Sequence, residues 1–253
     1  MTQPTFKTLS ILIPAYNEAN TIVAVLDLVK NAKLDLHKEM IIVDDGSTDN
    51  TADLAQHWCK RQLNVPGLSA KVVKKANGGK GSAIREAIRH STGELAIIQD
   101  ADMEYDPNDY LACLAPIRAG LTEVVYGSRY LSNKNAYSYF IYLYGGRMVS
   151  IFTNLLYGSK LTDEPTCYKT FRGDLLRGVT FEGNHFEWEP EITAKLLRLG
   201  HRIEEVPISY FPRHFEDGKK IGMKDGLQAL WTLLRWRFAN LNHFNQYRAR
   251  NRR

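Results

Sequence analysis

Met40-Ile-Ile-Val-Asp-Asp-Gly-Ser-Thr-Asp49 is the stretch on which the reading of the fold turns. Four apolar residues in a row read as a buried strand. Asp44 and Asp45 stop it, Gly46-Ser47 turns the chain, and Thr48 or Asp49 can cap the helix that the spacing predicts over 50–62. The same unit recurs on both sides. Upstream, Leu9 to Ile13 reads as a strand and is followed by Pro14-Ala-Tyr-Asn-Glu18. A helical pattern then runs over 19–31, with Ile22, Val25, Leu26 and Val29 on one face. Downstream come a strand at Ala70–Lys74, the turn Asn77-Gly-Gly-Lys-Gly81, a helix over Lys80–His90, a turn at Thr92-Gly93 and a strand at Leu95–Gln99. Continuous apolar strands alternating with amphipathic helices predict an α/β fold with a mainly parallel sheet covered on both faces.

Beyond Asp100 the pattern loosens. Strands are predicted at Glu123–Tyr126, Tyr168–Phe171 and Ile203–Tyr210, and helices at Tyr137–Tyr157, Pro190–Leu199 and Gly222–Asn240. The 253 residues fit one large domain, read as 1–215, followed by a loop, an amphipathic helix and a basic tail over 216–253. Cys59, Cys113 and Cys167 form no CxxC pair, which argues against a disulfide scaffold or structural zinc and suits a reducing compartment. Neither a secretory signal nor a membrane-spanning run is expected. The net charge of +5 is local: 235, 237, 248, 250, 252 and 253 are arginines, and removing those six from the 33 basic residues leaves 27 against 28 acids. Such a tail suits an anionic surface. Nucleic-acid binding predicts basic patches across the domain, so that reading is set aside.

In a parallel sheet, ligands bind beyond the carboxyl ends of the strands. Asp100-Ala-Asp102 places two carboxylates at one such end, with Glu104 next to them. Mg²⁺ and Mn²⁺ take carboxylate oxygens together with substrate phosphates. Of Asp44 and Asp45, one serves the turn and the other a base N–H or a ribose hydroxyl. Lys80 opens a helix whose free amides would favour an anion. Neither GxxxxGK[ST] nor GxGxxG is present, which removes the main support for ATPase and nicotinamide readings. Arg129, Arg147, Arg213 and Lys219-Lys220 are candidate phosphate clamps. Asp163, Glu187 and Glu189 are the candidate general bases for a hydroxyl acceptor. Leu227, Leu230, Trp231, Leu234, Phe238 and Leu241 share a helix face, and Trp231, Trp236 and Phe238 beside Arg235 and Arg237 suit a membrane interface.

Taken together, Ile13-Pro-Ala-Tyr-Asn-Glu18, Val43-Asp-Asp-Gly-Ser-Thr-Asp49, Asn77-Gly-Gly-Lys-Gly81 and Asp100-Ala-Asp102 resemble, in order and spacing, the family-2 inverting glycosyltransferases of the GT-A fold. Within that family the chain is most similar to the polyprenyl- and dolichyl-phosphate mannose or glucose synthases. The resemblance implies a nucleotide-sugar pocket lined by Pro14, Tyr16, Glu18, Val43, Asp45, Lys80, Asp100, Ala101 and Asp102. It implies a metal, Mg²⁺ or Mn²⁺, on Asp100 and Asp102 with Glu104 as a third ligand. It implies phosphate contacts from Arg129, Arg147, Arg213 and Lys220, with Asp102, Arg129, Asp163 and Arg213 at the reaction centre. The implied reaction moves a hexose from a GDP-mannose- or UDP-glucose-type donor to a polyprenyl phosphate, from a peripheral position on the cytoplasmic membrane face. The alternatives are a hydroxyl acceptor on a glycan or glycolipid and, more remotely, a non-catalytic nucleotide-binding module. A homo-oligomer or a membrane partner subunit stays open. The sequence departs from the pattern at Thr166-Cys167, at the acidic 187–191 stretch and in a longer late loop.

Overall fold

A computed structural model describes residues 6–132, 140–212 and 222–241. Seven strands form one sheet: β1 (Thr8–Ala15), β2 (His37–Asp44), β3 (Leu68–Lys74), β4 (Leu95–Ile98), β5 (Val124–Ser128), β6 (Lys169–Arg172) and β7 (Ile203–Pro207), in the order β3-β2-β1-β4-β6-β5-β7. β1 to β4 are parallel, with Ile11 opposite Met40 and Ile97, and Met40 opposite Ala70. β6 runs antiparallel to both β4 and β5, and β7 is parallel to β5. Six strands therefore deliver their carboxyl ends to one edge of the sheet, and β6 brings the segment before it to that same edge.

The helices are α1 (Ile22–Asn31), α2 (Thr51–Arg61), α3 (Lys80–His90), α4 (Tyr110–Arg118), α5 (Phe140–Tyr157), α6 (Gly173–Gly178), α7 (Trp188–Arg198) and α8 (Met223–Phe238). The predicted face of α1 is buried: Ile22, Val25, Leu26 and Val29 are at most 1% exposed. They pack with the continuous apolar runs of β1, β2 and β4 in one large core. α6 has no counterpart in the sequence reading, and of α4 the sequence shows only a helix start near Pro107. α4 is apolar almost all round and contains Pro116, so its helical period is weak, and α6 has only six residues. The strand predicted to reach Tyr210 stops at Pro207, and Tyr210 instead makes an isolated bridge to Tyr105.

A second, smaller core joins Val149 of α5, Ala194 of α7, and Leu233 and Trp236 of α8. Trp236 is 2% exposed, with Lys195 over its ring, so the structure turns it inward and away from the interface role expected of it. Leu227, Trp231, Leu234 and Phe238 face outward, opposite that packed side, and Met148, Ile151 and Leu155 do the same on α5. No helix of the described residues is long and apolar enough to cross a membrane.

Candidate active site

The loops after β1 and β2 are fastened to each other before any ligand is considered. Asn17 N donates to Ser47 Oγ (3.0 Å), Thr48 N to Asn17 Oδ1 (2.8 Å), Glu18 N to Thr51 Oγ1 (2.8 Å) and Ala19 N to Asp49 Oδ2 (3.1 Å). Thr21 Oγ1 lies 2.9 Å from Glu18 Oε2 and 2.7 Å from Ala101 O, which ties this pair of loops to the one after β4. Asn17 and Met103 hold positive φ values of 53° and 62°, a conformation most L residues avoid and one that clusters at functional sites. Pro14, Val43 and Ala101 are buried; Tyr16 stands on the rim, 37% exposed.

The structure assigns different tasks to the two acids after β2. Asp45 is spent on the glycine turn: it accepts from Gly79 N (2.6 Å), Gly78 N (3.0 Å) and Lys75 Nζ (2.5 Å). Asp44, 4% exposed, receives only a long bond from Ser47 N (3.4 Å) at Oδ2, and its Oδ1 is buried without a partner. A buried carboxylate oxygen without a donor is costly, and a ligand N–H or O–H would remove that cost. Asp44, rather than the expected Asp45, therefore holds hydrogen-bonding capacity in reserve.

The glycine turn also departs from expectation. Four of its amides are already taken: Gly78 and Gly79 donate to Asp45, Gly81 N donates to His185 O (3.2 Å) and Ser82 N to Asn184 O (2.9 Å). The glycines are there for close approach. A Cβ on Gly79 would come within 2.2 Å of His185 Nδ1 and one on Gly81 within 2.4 Å of Gly183 O. Lys80 is neither solvated nor left open to a phosphate. Its Nζ lies 3.0 Å from each oxygen of Asp100 and 3.0 Å from Glu189 Oε1. Burial pushes its pKa down, but Asp100 and Glu189 outweigh that and hold the ammonium well above its ordinary value.

Asp100 and Asp102 offer the hard-oxygen chemistry of Mg²⁺ or Mn²⁺, and an ammonium already stands against Asp100, so a cation fits there. The expected third ligand is not gathered with them. Glu104 Oε2 accepts from Tyr210 OH (3.1 Å), and among the described residues no three acids, histidines or cysteines converge on one point. Asp102 Oδ1 accepts from Glu104 N (3.2 Å).

Across the mouth, Arg129 follows β5. Its Nε and Nη2 grip the two oxygens of Asp163 (2.8 and 2.7 Å), and its guanidinium lies over the Tyr210 ring at 5.1 Å. Asp163 is fully buried and commits its carboxylate to this arginine, which removes it as a free base. Glu205 on β7 was not singled out by the sequence, yet it positions the whole assembly. Its carboxylate accepts from Thr162 N (2.7 Å) and Asp163 N (2.9 Å). Burial pushes its pKa up, against those two amides. The signal was present in Glu204-Glu205, since strand alternation turns one of two adjacent acids toward the covered face. Arg147 lies over the Tyr130 ring at 5.1 Å. Of the acidic 187–191 stretch, Glu189 pairs with Lys80 and Glu191 with Lys195, and Glu187 Oε1 accepts from Asn184 N (2.9 Å). Cys167 is 2% exposed, and burial drives its thiol far up, so it is no nucleophile. Arg213, Lys219, Lys220 and the four tail arginines lie outside the described residues.

The family model for glycosyl transferase family 2 matches residues 10–179. Among curated proteins, the glycosyltransferase AglJ of Haloferax volcanii is 27% identical over 83% of this chain, which spans 65% of that protein's length. The undecaprenyl-phosphate mannosyltransferase of Micrococcus luteus is 25% identical over 90% of this chain and 93% of its own. The dolichyl-phosphate beta-glucosyltransferase of Saccharomyces cerevisiae is 30% identical over 85% and 69%. Among solved structures, glucosyl-3-phosphoglycerate synthase of Mycobacterium tuberculosis in complex with UDP is 20% identical, with a TM-score of 0.70 over 92% of this chain and 81% of that one. The same enzyme with Mn²⁺, UDP-glucose and phosphoglyceric acid gives 21% and 0.66 over the same shares. At that identity the solved structures establish the fold.

Proposed function

The chain belongs to glycosyl transferase family 2, and from that premise we propose that it moves a hexose from a GDP-mannose- or UDP-glucose-type donor to a polyprenyl phosphate at the cytoplasmic membrane face, inverting the anomeric carbon. The observation that carries the reading is the convergence on one sheet edge of the Asp100–Asp102 carboxylates, the unpartnered Asp44 oxygen and Arg129. The relatives' names, one undecaprenyl-phosphate mannosyltransferase and one dolichyl-phosphate glucosyltransferase, support the acceptor class.

In this mechanism Asp44 accepts a hydrogen bond from the base or ribose, and Pro14, Tyr16 and Glu18 form the wall beside it. Asp100 and Asp102 would hold a divalent ion, Mg²⁺ or Mn²⁺, which would supply positive charge to the departing nucleoside diphosphate. Arg129, locked by Asp163 and Glu205, presents a preorganised cation to phosphate and loses little freedom in doing so. Arg147, Arg213 and Lys220 are further phosphate contacts in this reading. A phosphate acceptor is already ionised and needs no strong base. That suits a site where Asp163 is spent on Arg129 and Glu189 on Lys80. The outward apolar faces of α5 and α8, with Arg235 and Arg237 in the last turn of α8, support peripheral attachment to an anionic bilayer.

The test is a screen of radiolabelled GDP-mannose, UDP-glucose and related donors with Mg²⁺ or Mn²⁺ and short polyprenyl phosphate. Label entering the organic phase with one donor is the expected result. Donor hydrolysis or binding with no lipid product from any donor moves the reading to a hydroxyl acceptor.

A further inference from the structure

Lys80 lies where a divalent cation would compete with it. It reaches Asp100 from the first residue of α3, and that start is fixed from outside. Gly79 and Gly81 press against the backbone of 183–185, and the amides of Gly81 and Ser82 are taken by His185 O and Asn184 O. Just beyond that segment, α7 carries Glu189, the second partner of the ammonium, while Phe186 covers it at 5.7 Å. The ammonium thus stands between two carboxylates. Asp100 belongs to the pair that would take the metal, and Glu189 does not.

We propose that Lys80 is the resident counter-cation of the donor site: it pairs with Asp100 while no divalent ion is bound and passes wholly to Glu189 when one arrives, so that Glu189 sets how readily the site accepts the ion. The inference rests on the reading of Asp100 and Asp102 as the metal pair. Two carboxylates, Asp100 and Glu189, face a single ammonium. The ion and the ammonium want the same oxygens of Asp100 and repel each other at that range. Glu189 gives the ammonium somewhere to stay without leaving the pocket. A lysine suits the exchange, being a compact point charge on a flexible stem, where an arginine fork would hold Asp100 in a fixed geometry.

The experiment is Mn²⁺ binding to the full chain, followed by the electron paramagnetic resonance of the free ion, with UDP and separately GDP present and no sugar to transfer. Lys80→Met is expected to tighten Mn²⁺ binding about tenfold, and Glu189→Gln to weaken it about fivefold. In the Lys80→Met background the Glu189→Gln change should have a different effect from the one it has in the parent, because the part that runs through the ammonium is gone. The isosteric Glu189→Gln keeps the test alive if Lys80→Met does not fold. Mn²⁺ affinity that is unchanged or weaker in Lys80→Met, or unmoved in Glu189→Gln, overturns the proposal. Binding lost in Asp100→Asn but indifferent to both other changes does so while leaving the metal pair standing. Binding undiminished in Asp100→Asn and Asp102→Asn removes the metal pair and the proposal together.

Discussion

The two ends of the sheet use the same residue type in opposite ways. At the amino-terminal end, Glu39 accepts from the Ser10 hydroxyl, from Thr92 N (2.8 Å) and from Thr92 Oγ1 (2.8 Å), and Glu94 accepts from Lys7 N (2.8 Å) and Thr8 N (2.9 Å). Burial pushes the Glu39 carboxyl up, but the Ser10 and Thr92 bonds outweigh it and the net displacement is downward. The Lys7 and Thr8 amides draw Glu94 down as well. At the carboxyl-terminal end, Asp44 keeps a buried oxygen without a donor, and Asp100 and Glu189 divide one lysine between them. Acids that finish the fold are satisfied by amides close by. In the reading proposed above, Asp44 awaits a ligand with one oxygen lacking a donor, and Asp100 shares its lysine with Glu189, at a cost in stability that the rest of the fold carries.

The contrast can be broken most severely at Asp102. Asp102→Asn should lower metal-dependent transfer by about a thousandfold or more, with the melting temperature within about 2 °C of the parent. Turnover close to that of the parent would strike this acid from the metal pair. Next is Asp163→Asn, which leaves a buried guanidinium facing a neutral amide. Urea denaturation should show a loss of about 3 kcal/mol, with transfer falling alongside. Asp44→Asn separates the two ends most cleanly. It should weaken donor binding about tenfold in calorimetry, while raising stability by roughly 0.5 kcal/mol as an uncompensated charge disappears. Donor affinity indifferent to this change would put the reserve capacity elsewhere.

The smallest effect belongs to the other end. Glu39→Gln should cost about 1 kcal/mol at neutral pH and leave donor affinity untouched. Because the folded carboxyl titrates below the unfolded one, its contribution is complete above the unfolded value of about 4.3 and fades as the pH falls through the folded value. Denaturation curves of the two proteins should therefore converge in acid. A difference that persists there would assign the effect to packing.

What the sequence made legible was local. Met40–Val43 and Leu95–Ile98 advertise buried strands, and their carboxyl ends name the rim of the site without any tertiary information. What stayed hidden depends on residues far apart. Gly78 and Gly79 look like a phosphate turn until Asp45 takes their amides, and Gly81 until the 183–185 backbone closes on it from about 100 positions away. Lys80 looks like the lysine of an anion site until Glu189 arrives. Glu205 looks like an ordinary strand residue until the Thr162–Asp163 turn settles on it. Trp236 reads as interfacial by composition, because the two faces of α8 differ only by what packs beneath one of them.

The placement of β6 has a consequence for how the chain is made. β4 finds its outer neighbour only about 70 residues later, when β6 slots in antiparallel, and β5 and β7 join the sheet only through β6. At ribosomal speeds of about 5–20 residues per second, the wholly apolar strand Leu95–Ile98 waits on the order of 4–14 s as an open edge. The nascent protein is then most vulnerable to the wrong partner, and β6, four residues long, is the keystone that ends the exposure.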